Sequence, residues 1–257
     1  MSTLLSSKTK GLLKDINQWV GQDKSNNTQL MQLQRQATQL LKLDAVGGYI
    51  VLGALASLIA DINNIHAHYK NALALAPSNP EVLSNYATCL HNTGFFGEAA
   101  DLAFRAYHLA PDNLQWLSRL IEHCMAAGRF HRAKKLLNTR TYQLSPYILY
   151  QRDEFIHQLV DFMDEKSITD NDLEKFIKTV ISVLHHHHIY HFDRDNIELY
   201  ALEDDRNQWY HYGVKLYALS MKELISLCFN LAETLVEAEI AVRTTSDVFV
   251  PSFHLAE

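Results

Sequence analysis

The sequence repeats itself with a period of about 34 residues. Two similar runs, KNALALAP at 70–77 and FRAYHLAP at 104–111, end in Pro77 and Pro111 and define this period. Repeats of this length are typical of solenoids in which each unit is a pair of helices that packs on its neighbours. Such arrays seldom perform chemistry and usually hold another chain in a concave face, so the period favours a binding function.

Residues 80–113 show most clearly what each unit contains. Small residues such as Ala87 and Ala99 stand where two helices would touch, and Gly94 lies in the predicted turn between them. Pro111 ends the second helix because proline cannot donate the next hydrogen bond. This pattern resembles the tetratricopeptide repeat family, which implies antiparallel helical hairpins.

The two neighbouring stretches follow the same pattern with substitutions. In the preceding stretch Ala60 replaces the turn glycine, and in the following one Arg140 replaces a second-helix alanine while Pro146 falls one residue late. The resemblance therefore implies three repeats, 46–79, 80–113 and 114–147, of which the last is degenerate. About three repeats are the minimum for a stable stack.

The amino-terminal segment, 1–45, contains two apolar runs at helical spacing, one through Leu12 and Ile16 and another through Leu33, Ala37 and Leu40. We expect these helices to cap the open end of the repeats, because the first unit of a solenoid otherwise leaves one face uncovered. Docking on a partner, or on a second copy of the chain, is the alternative.

The pattern changes after Pro146. Apolar residues keep helical spacing through 148–190, where Thr169 and Asp172 form a capping-box pair. From Asn196 the apolar residues alternate, which predicts two antiparallel strands, IELYALE and WYHYGVKLYAL. A second capping-box pair, Ser220 and Glu223, starts a helix, and VFVPSFHL supplies a last strand that Pro251 interrupts or confines to a sheet edge.

The predicted fold class is therefore mainly α, with a tetratricopeptide-like helical-hairpin solenoid followed by a small α+β unit of order helix, strand, strand, helix, strand. The predicted domains are capping helices at 1–45, the repeats at 46–147, connecting helices at 148–190 and the α+β unit at 191–257.

Composition narrows the class of protein. No run reaches the roughly 18 apolar residues of a membrane span, and the opening MSTLLSSKTKGLLKDINQW lacks the apolar centre of a secretion signal. We therefore expect a cytoplasmic protein.

Cys89, Cys124 and Cys228 are widely spaced within apolar helical patterns, which favours buried, reduced thiols over a disulfide framework.

Charge is distributed unevenly along a chain whose net charge is −6. Residues 1–43 carry six basic against two acidic side chains, whereas 192–257 carry twelve acidic against five basic. The overall negative charge and the absence of clustered arginines argue against nucleic-acid binding.

The histidines from His185 to His188, with His191 nearby, are the sequence feature that most suggests a metal site. His185 and His188 could share one helical face, with Asp193 and Asp195 completing a site. However, four consecutive residues fan out around a helix axis, and a helix carboxyl end favours protonated histidine. We therefore assign no metal and no cofactor, and keep His185, His188 and His191 only as candidates.

The remaining catalytic motifs are absent, so we expect no enzyme activity: the sequence has no Gly-x-Ser-x-Gly elbow, phosphate loop or His-Glu-x-x-His pair. Glu198 and His211 could meet across the predicted hairpin, where a surface contact is the preferred interpretation. The aromatic residues of the second strand, Trp209, Tyr210, Tyr212 and Tyr217, are interpreted as sheet packing.

The resemblance implies that partner contact falls on the first helix of each repeat. The positions concerned are Ile50, Ala54 and Leu58 in the first repeat, Ser84, Asn85, Thr88, His91 and Asn92 in the second, and Ser118, Arg119, Glu122 and Met125 in the third. This predicted groove changes from apolar to polar along its length, which suits an extended or helical peptide with the same change of character.

Some family members use a clamp of lysine, asparagine and arginine to hold the terminal carboxylate of chaperone tails. Asn85 and Arg119 stand at two of its five positions, but Ile50, Ala54 and Gln115 replace the others. We therefore expect that chaperone-tail binding does not occur.

The leading functional hypothesis is a non-catalytic adaptor or regulator that binds a protein partner or peptide in this groove, with a homodimer through the carboxy-terminal unit as a further hypothesis. One alternative is an antitoxin or immunity-type protein whose acidic carboxy-terminal region covers a basic active site. Another is a metal-dependent enzyme that uses His185–His188.

Overall fold

The computed structural model describes residues 5–19, 27–139, 153–192, 197–203, 208–216, 219–237 and 249–255. Contacts divide the chain into two compact units, Met1–His123 (unit 1) and Cys124–Glu257 (unit 2). The domain boundaries proposed from the sequence stay a prediction.

Every regular secondary-structure element among the described residues of unit 1 is a helix. Its helices are α1 (Ser7–Asn17), α2 (Asn27–Leu40), α3 (Ala45–Leu58), α4 (Ile62–Leu75), α5 (Pro80–His91), α6 (Phe96–Leu109) and most of α7 (Leu114–Ala126). Unit 2 contains the end of α7, then α8 (Phe130–Thr139), α9 (Glu154–Glu165), α10 (Asp170–His186), β1 (Ile197–Glu203), β2 (Gln208–Leu216), α11 (Met221–Glu237) and β3 (Phe249–Leu255).

The helical-hairpin repeats expected from the tetratricopeptide resemblance are confirmed. The second helices α4, α6 and α8 begin at Ile62, Phe96 and Phe130. Their starts are evenly spaced, with the same separation as Pro77 and Pro111 in the sequence. The predicted features at Arg140 and Pro146 lie outside the described residues.

The turn between the two helices of each hairpin has the same backbone form. The residue at this position has a left-handed φ in all three cases: +54° at Ala60, +85° at Gly94 and +78° at Gly128. In each case the following N–H bonds to a carbonyl five residues back, which closes the helix end. Ala60 therefore adopts the glycine-favoured conformation at a steric cost.

Small residues allow the helices of unit 1 to approach closely. Ala72, Ala87 and Ala99 are fully buried. At Gly53 on α3, an added Cβ would lie only 2.5 Å from Cε2 of Tyr69 on α4. The Tyr69 ring is itself fixed, because it is fully buried and stacks on Tyr86 with 4.7 Å between ring centroids.

The amino-terminal helices pack against α3. Leu12 and Ile16 of α1 and Leu40 of α2 join Val51 and Leu55 of α3 in one buried cluster. A polar link accompanies this packing: the Thr9 hydroxyl donates to Asp44 Oδ2 at 2.9 Å, and Asp44 Oδ1 caps α3 by accepting from the Gly47 N–H at 2.8 Å.

Unit 2 contains a three-stranded sheet in the order β1-β2-β3, and the predicted antiparallel hairpin β1–β2 is confirmed. The strand β3 pairs in parallel with β2, with Pro251 opposite Tyr212 on this edge strand. Both predicted capping boxes are confirmed: Thr169 with Asp172 starts α10, and Ser220 with Glu223 precedes α11.

One face of this sheet is the aromatic core of unit 2. Tyr210, Tyr212 and Phe249 are buried, with Phe162 of α9 and Phe176 of α10 against them. The interpretation of Tyr210 and Tyr212 as sheet packing is confirmed. Trp209 is half-buried, and Tyr217 lies outside the described residues.

The cysteine prediction is correct for two positions and wrong for the third. Cys89 and Cys124 are buried free thiols, and burial raises the pKa of Cys89 to about 11. Cys228 is exposed because it lies just beyond the edge of the side of α11 that holds the buried Leu227, Leu231 and Leu235. None of the described helices combines the length and apolar character needed to cross a membrane.

Candidate partner-binding surface

Two of the three predicted groove positions on α3 lie in the interior of unit 1, and the third is partly covered. Ile50 and Leu58 are buried, and Ala54 is half-buried. Leu58 and Ala54 pack in the cluster to which Leu12 and Ile16 contribute. The amino-terminal helices therefore occupy the apolar end of the predicted groove with side chains of the same chain.

The predicted positions on α5 have a different environment. Asn85, Thr88, His91 and Asn92 are half-buried, so part of each is in contact with solvent, whereas Ser84 is buried. Their residue types supply hydrogen-bond donors and acceptors rather than apolar area. The polar character predicted for this end of the groove is thus present at the surface of unit 1.

Arg119 connects α7 to α5. Its Nη1 donates to the Ser84 hydroxyl oxygen at 2.8 Å. Its guanidinium also lies 6.0 Å from the ring centroid of Trp116, within the range of a cation–π contact. These contacts place a positive charge at the junction of the two helices.

A pair of histidines makes a second connection between the same helices. Nδ1 of His123 lies 3.2 Å from Nδ1 of His91, and the ring centroids are 5.0 Å apart. A hydrogen bond between two imidazoles needs one ring to donate and the other to accept, so at least one of them is neutral. His123 was not among the predicted positions, although its place on α7, one turn after Arg119, was a signal for it.

Two polar side chains of α5 bond to their own helix. Asn85 Nδ2 donates to the Glu81 carbonyl at 2.8 Å, and the Thr88 hydroxyl donates to the Ser84 carbonyl at 3.0 Å. In both bonds the side chain is the donor. The amide oxygen of Asn85 and the lone pairs of the Thr88 hydroxyl therefore keep the capacity to accept hydrogen bonds.

The other predicted positions on α7 are half-buried as well. Ser118 and Glu122 belong to unit 1, whereas Met125 belongs to unit 2. We call the half-buried positions of unit 1 the α5–α7 surface: Asn85, Thr88, His91, Asn92, Ser118, Arg119 and Glu122. Since Arg119 and Glu122 have opposite charges, hydrogen bonds rather than net charge dominate this surface.

The histidine run has structural contacts. His185 stacks on Tyr190 with ring centroids 4.7 Å apart, and His187 Nε2 lies 2.7 Å from Asn230 Nδ2. His188 has a φ of +60° just after α10, and His191 is exposed. Across the described parts of the chain, no three histidine, cysteine or acidic side chains are grouped to hold a metal, while Asp193 and Asp195 lie outside those parts.

The register of the hairpin separates Glu198 from His211. Glu198 is opposite Gly213 and forms an ion pair with Lys215, whereas His211 is opposite Tyr200. His211 Nε2 instead lies 2.8 Å from the Ser252 hydroxyl. Glu198 and His211 are therefore diagonal rather than directly opposite neighbours in this register.

No protein-family model matches the chain, and no curated protein matches it. Among solved structures, one titled a functional characterization of Pseudomonas aeruginosa pilF has 13% sequence identity and a TM-score of 0.44, covering 71% of this chain and 85% of that chain. Another, titled MamA AMB-1, has 16% identity and a TM-score of 0.40, covering 62% of this chain and 93% of that chain. Likenesses at this level assign neither a partner nor an activity.

Proposed function

We propose that the protein is a non-catalytic interaction module that binds a segment of a protein partner on the α5–α7 surface. The observation that carries the proposal is the double connection between the helices, Arg119 with Ser84 and His123 with His91. These contacts join polar side chains of two successive repeats into one hydrogen-bonding surface.

The chemistry of this surface indicates the kind of segment that it would hold. Arg119 and the acceptor atoms of Asn85 and Thr88 suit the carbonyl and N–H groups of an extended peptide. The mixed charges of Arg119 and Glu122 favour a segment without a strong net charge. This partner differs from the one expected from the sequence, because the apolar positions on α3 are already packed.

The burial of α3 also bears on the chaperone-tail hypothesis. A clamp would need charged or polar groups at Ile50 and Ala54, where the chain has one fully buried and one half-buried apolar side chain. Chaperone-tail binding therefore remains excluded from the proposal. The neutralising-protein and metal-enzyme alternatives stay predictions.

A photo-crosslinking amino acid tests the proposal directly. We would place it at Asn92 in the full chain, expressed in the native cell, and at Lys70 as the control, an exposed position on α4. The proposal predicts a discrete crosslinked protein from position 92 and none from position 70. Equal products at both positions, or none at 92, would contradict it.

A matched pair of variants then separates binding from folding. Replacing both Asn85 and Thr88 by alanine removes acceptors from the α5–α7 surface, whereas Lys70→Ala changes an exposed side chain of α4. We expect the double variant to lose about tenfold or more in affinity for the crosslinked partner, because each lost hydrogen bond is worth about 1 kcal/mol. Both proteins should keep the wild-type circular dichroism spectrum.

A further inference from the structure

Helix α11 of unit 2 exposes an apolar stripe along its length. Four large side chains are half or more exposed: Met221 (61%), Ile225 (50%), Phe229 (68%) and Val236 (66%). Cys228 and Ala232 are exposed beside them. We call these six residues the α11 stripe. The buried Leu227, Leu231 and Leu235 lie on the neighbouring side of the helix, about a third of a turn around its axis.

The stripe is continuous rather than scattered. Its members recur at intervals of three or four residues, so they fall on one side of the helix. From Met221 to Val236 they extend over about 22 Å of helix. Single exposed apolar residues are ordinary on protein surfaces, but a contiguous patch of this kind marks an interaction site.

The spacing of the stripe is symmetric about a point between Cys228 and Phe229. Reversing the helix about that point brings Met221 onto Val236 and Ile225 onto Ala232. Two copies of α11 packed antiparallel would therefore place an apolar residue against an apolar residue along the whole stripe. This self-complementarity is the property that a two-fold symmetric interface requires.

The charges beside the stripe have the same symmetry. Lys222 lies on one flank near the start of the helix, and Glu233 and Glu237 lie on that flank near its end. In an antiparallel pair related by a two-fold axis, like flanks meet. Measured along the helix axis, each Lys222 would then lie about 3 Å from Glu233 and from Glu237 of the other copy. Opposite charges would therefore face each other at both ends of the pair.

We propose that the chain forms a homodimer in which two copies of α11 pack antiparallel, centred on Cys228 and Phe229. A second copy is the occupant that fits, because the apolar spacing and the flanking charges are complementary to themselves. This interface uses none of the residues of the α5–α7 surface.

Molar mass in solution, measured by light scattering over a dilution series, gives the first test. We expect twice the chain mass at high concentration. Phe229→Glu should raise the dimer dissociation constant about thirtyfold or more, as is typical for an aromatic side chain at the centre of an interface. Leu75→Glu is the matched control, since Leu75 on α4 is 57% exposed and lies outside the stripe; it should change nothing.

Charge reversal tests the antiparallel register. Lys222→Glu should weaken the dimer about threefold to tenfold, and adding Glu233→Lys should restore most of the loss. A wild-type chain that remains monomeric at all concentrations would overturn the proposal, and so would a dimer that Phe229→Glu leaves intact.

Cys228 supplies an independent readout. Its thiol would lie beside the two-fold axis, and the other two cysteines are buried. A short bis-maleimide should therefore join two wild-type chains, whereas Cys228→Ser should abolish the crosslinked dimer. A dimer in solution that the reagent fails to join would exclude this register.

Discussion

The helices of the two units are joined by different kinds of contact. In unit 1, small residues repeated along the chain let helices approach, as where Gly53 receives the Tyr69 ring. In unit 2, charged side chains connect α8 to later helices: Arg129 makes two bonds of 2.7 Å to Glu174, and the His131 ring lies 2.8 Å from Asp170. Close packing is nearly indifferent to pH and salt, whereas ion pairs are sensitive to both.

This difference explains which contacts could be foreseen. A packing contact that recurs in every repeat leaves a visible period in the sequence. The ion pair between Arg129 and Glu174 joins two residues 45 positions apart and does not recur in the other repeats that the structure describes. No periodic sequence pattern therefore reveals it. The comparison can be tested by perturbing each kind of contact in turn.

Removing the best-formed ion pair should have the largest effect. Arg129 and Glu174 side chains are only 14% and 30% exposed, so Arg129→Ala leaves a shielded carboxylate without this partner. We expect a loss of about 2 kcal/mol in the free energy of unfolding, measured with urea. The control is Lys134→Ala, whose partner Asp161 is 71% exposed; it should cost less than about 0.5 kcal/mol. Equal losses would contradict the account.

A methyl group at Gly53 should break the close packing of unit 1. Gly53→Ala places its Cβ against the fixed Tyr69 ring, and overpacking of about 1–3 kcal/mol outweighs the gain of roughly 1 kcal/mol in helix propensity. Gly11→Ala on α1, where the added Cβ would meet no side chain and no other part of the chain within 4 Å, should instead stabilise. Thermal unfolding of both variants gives the sign, and a stabilised Gly53→Ala would refute the packing argument.

Relieving the turn of the first repeat should stabilise unit 1. Ala60 has a left-handed φ of +54°, where the equivalent residues are Gly94 and Gly128. Ala60→Gly removes a steric cost of about 1 kcal/mol, partly offset by greater freedom of the unfolded chain. We expect a higher midpoint in urea. The reverse change, Gly94→Ala, should lower the midpoint. A lower midpoint for Ala60→Gly, or a higher one for Gly94→Ala, would show that the two turns differ.

The smallest expected effect is the pH dependence contributed by His131. Burial lowers the pKa of this histidine, but hydrogen bonds with Asp170 and Asp164 outweigh it and raise the pKa above its usual 6.5. The stabilisation is therefore fully present below pH 6.5 and is lost as the pH rises through the higher folded-state pKa. His131→Gln should flatten this part of the stability–pH curve, and an unchanged slope would contradict the assignment.

Most of the fold was predictable from local sequence patterns. The two capping boxes and the β1–β2 hairpin rest on residues close together in the chain, and the helical hairpins repeat a pattern that is itself local. The parallel pairing of β3 with β2 was not predicted, since the alternating pattern that identifies a strand does not specify its neighbour. The exposure of Cys228 was missed because a wide apolar pattern on α11 covers both the buried and the exposed sides.

The candidate site was predictable only in part. Residue types on α5 and α7 indicated a polar surface, but the covering of Ala54 and Leu58 depends on where α1 and α2 pack. The apolar periods of α1 and α2 predicted that these helices would cover the first repeat, without specifying which of its residues they would bury. The His91–His123 contact likewise depends on the approach of two residues 32 positions apart in the chain.

Hydrogen–deuterium exchange of the full chain, with and without the crosslinked partner, tests the central claim most directly. The account predicts slower exchange on binding in peptides that cover 84–92 and 118–123, with no change in peptides that cover α3. Protection confined to α3, or to the strands of unit 2, would contradict it.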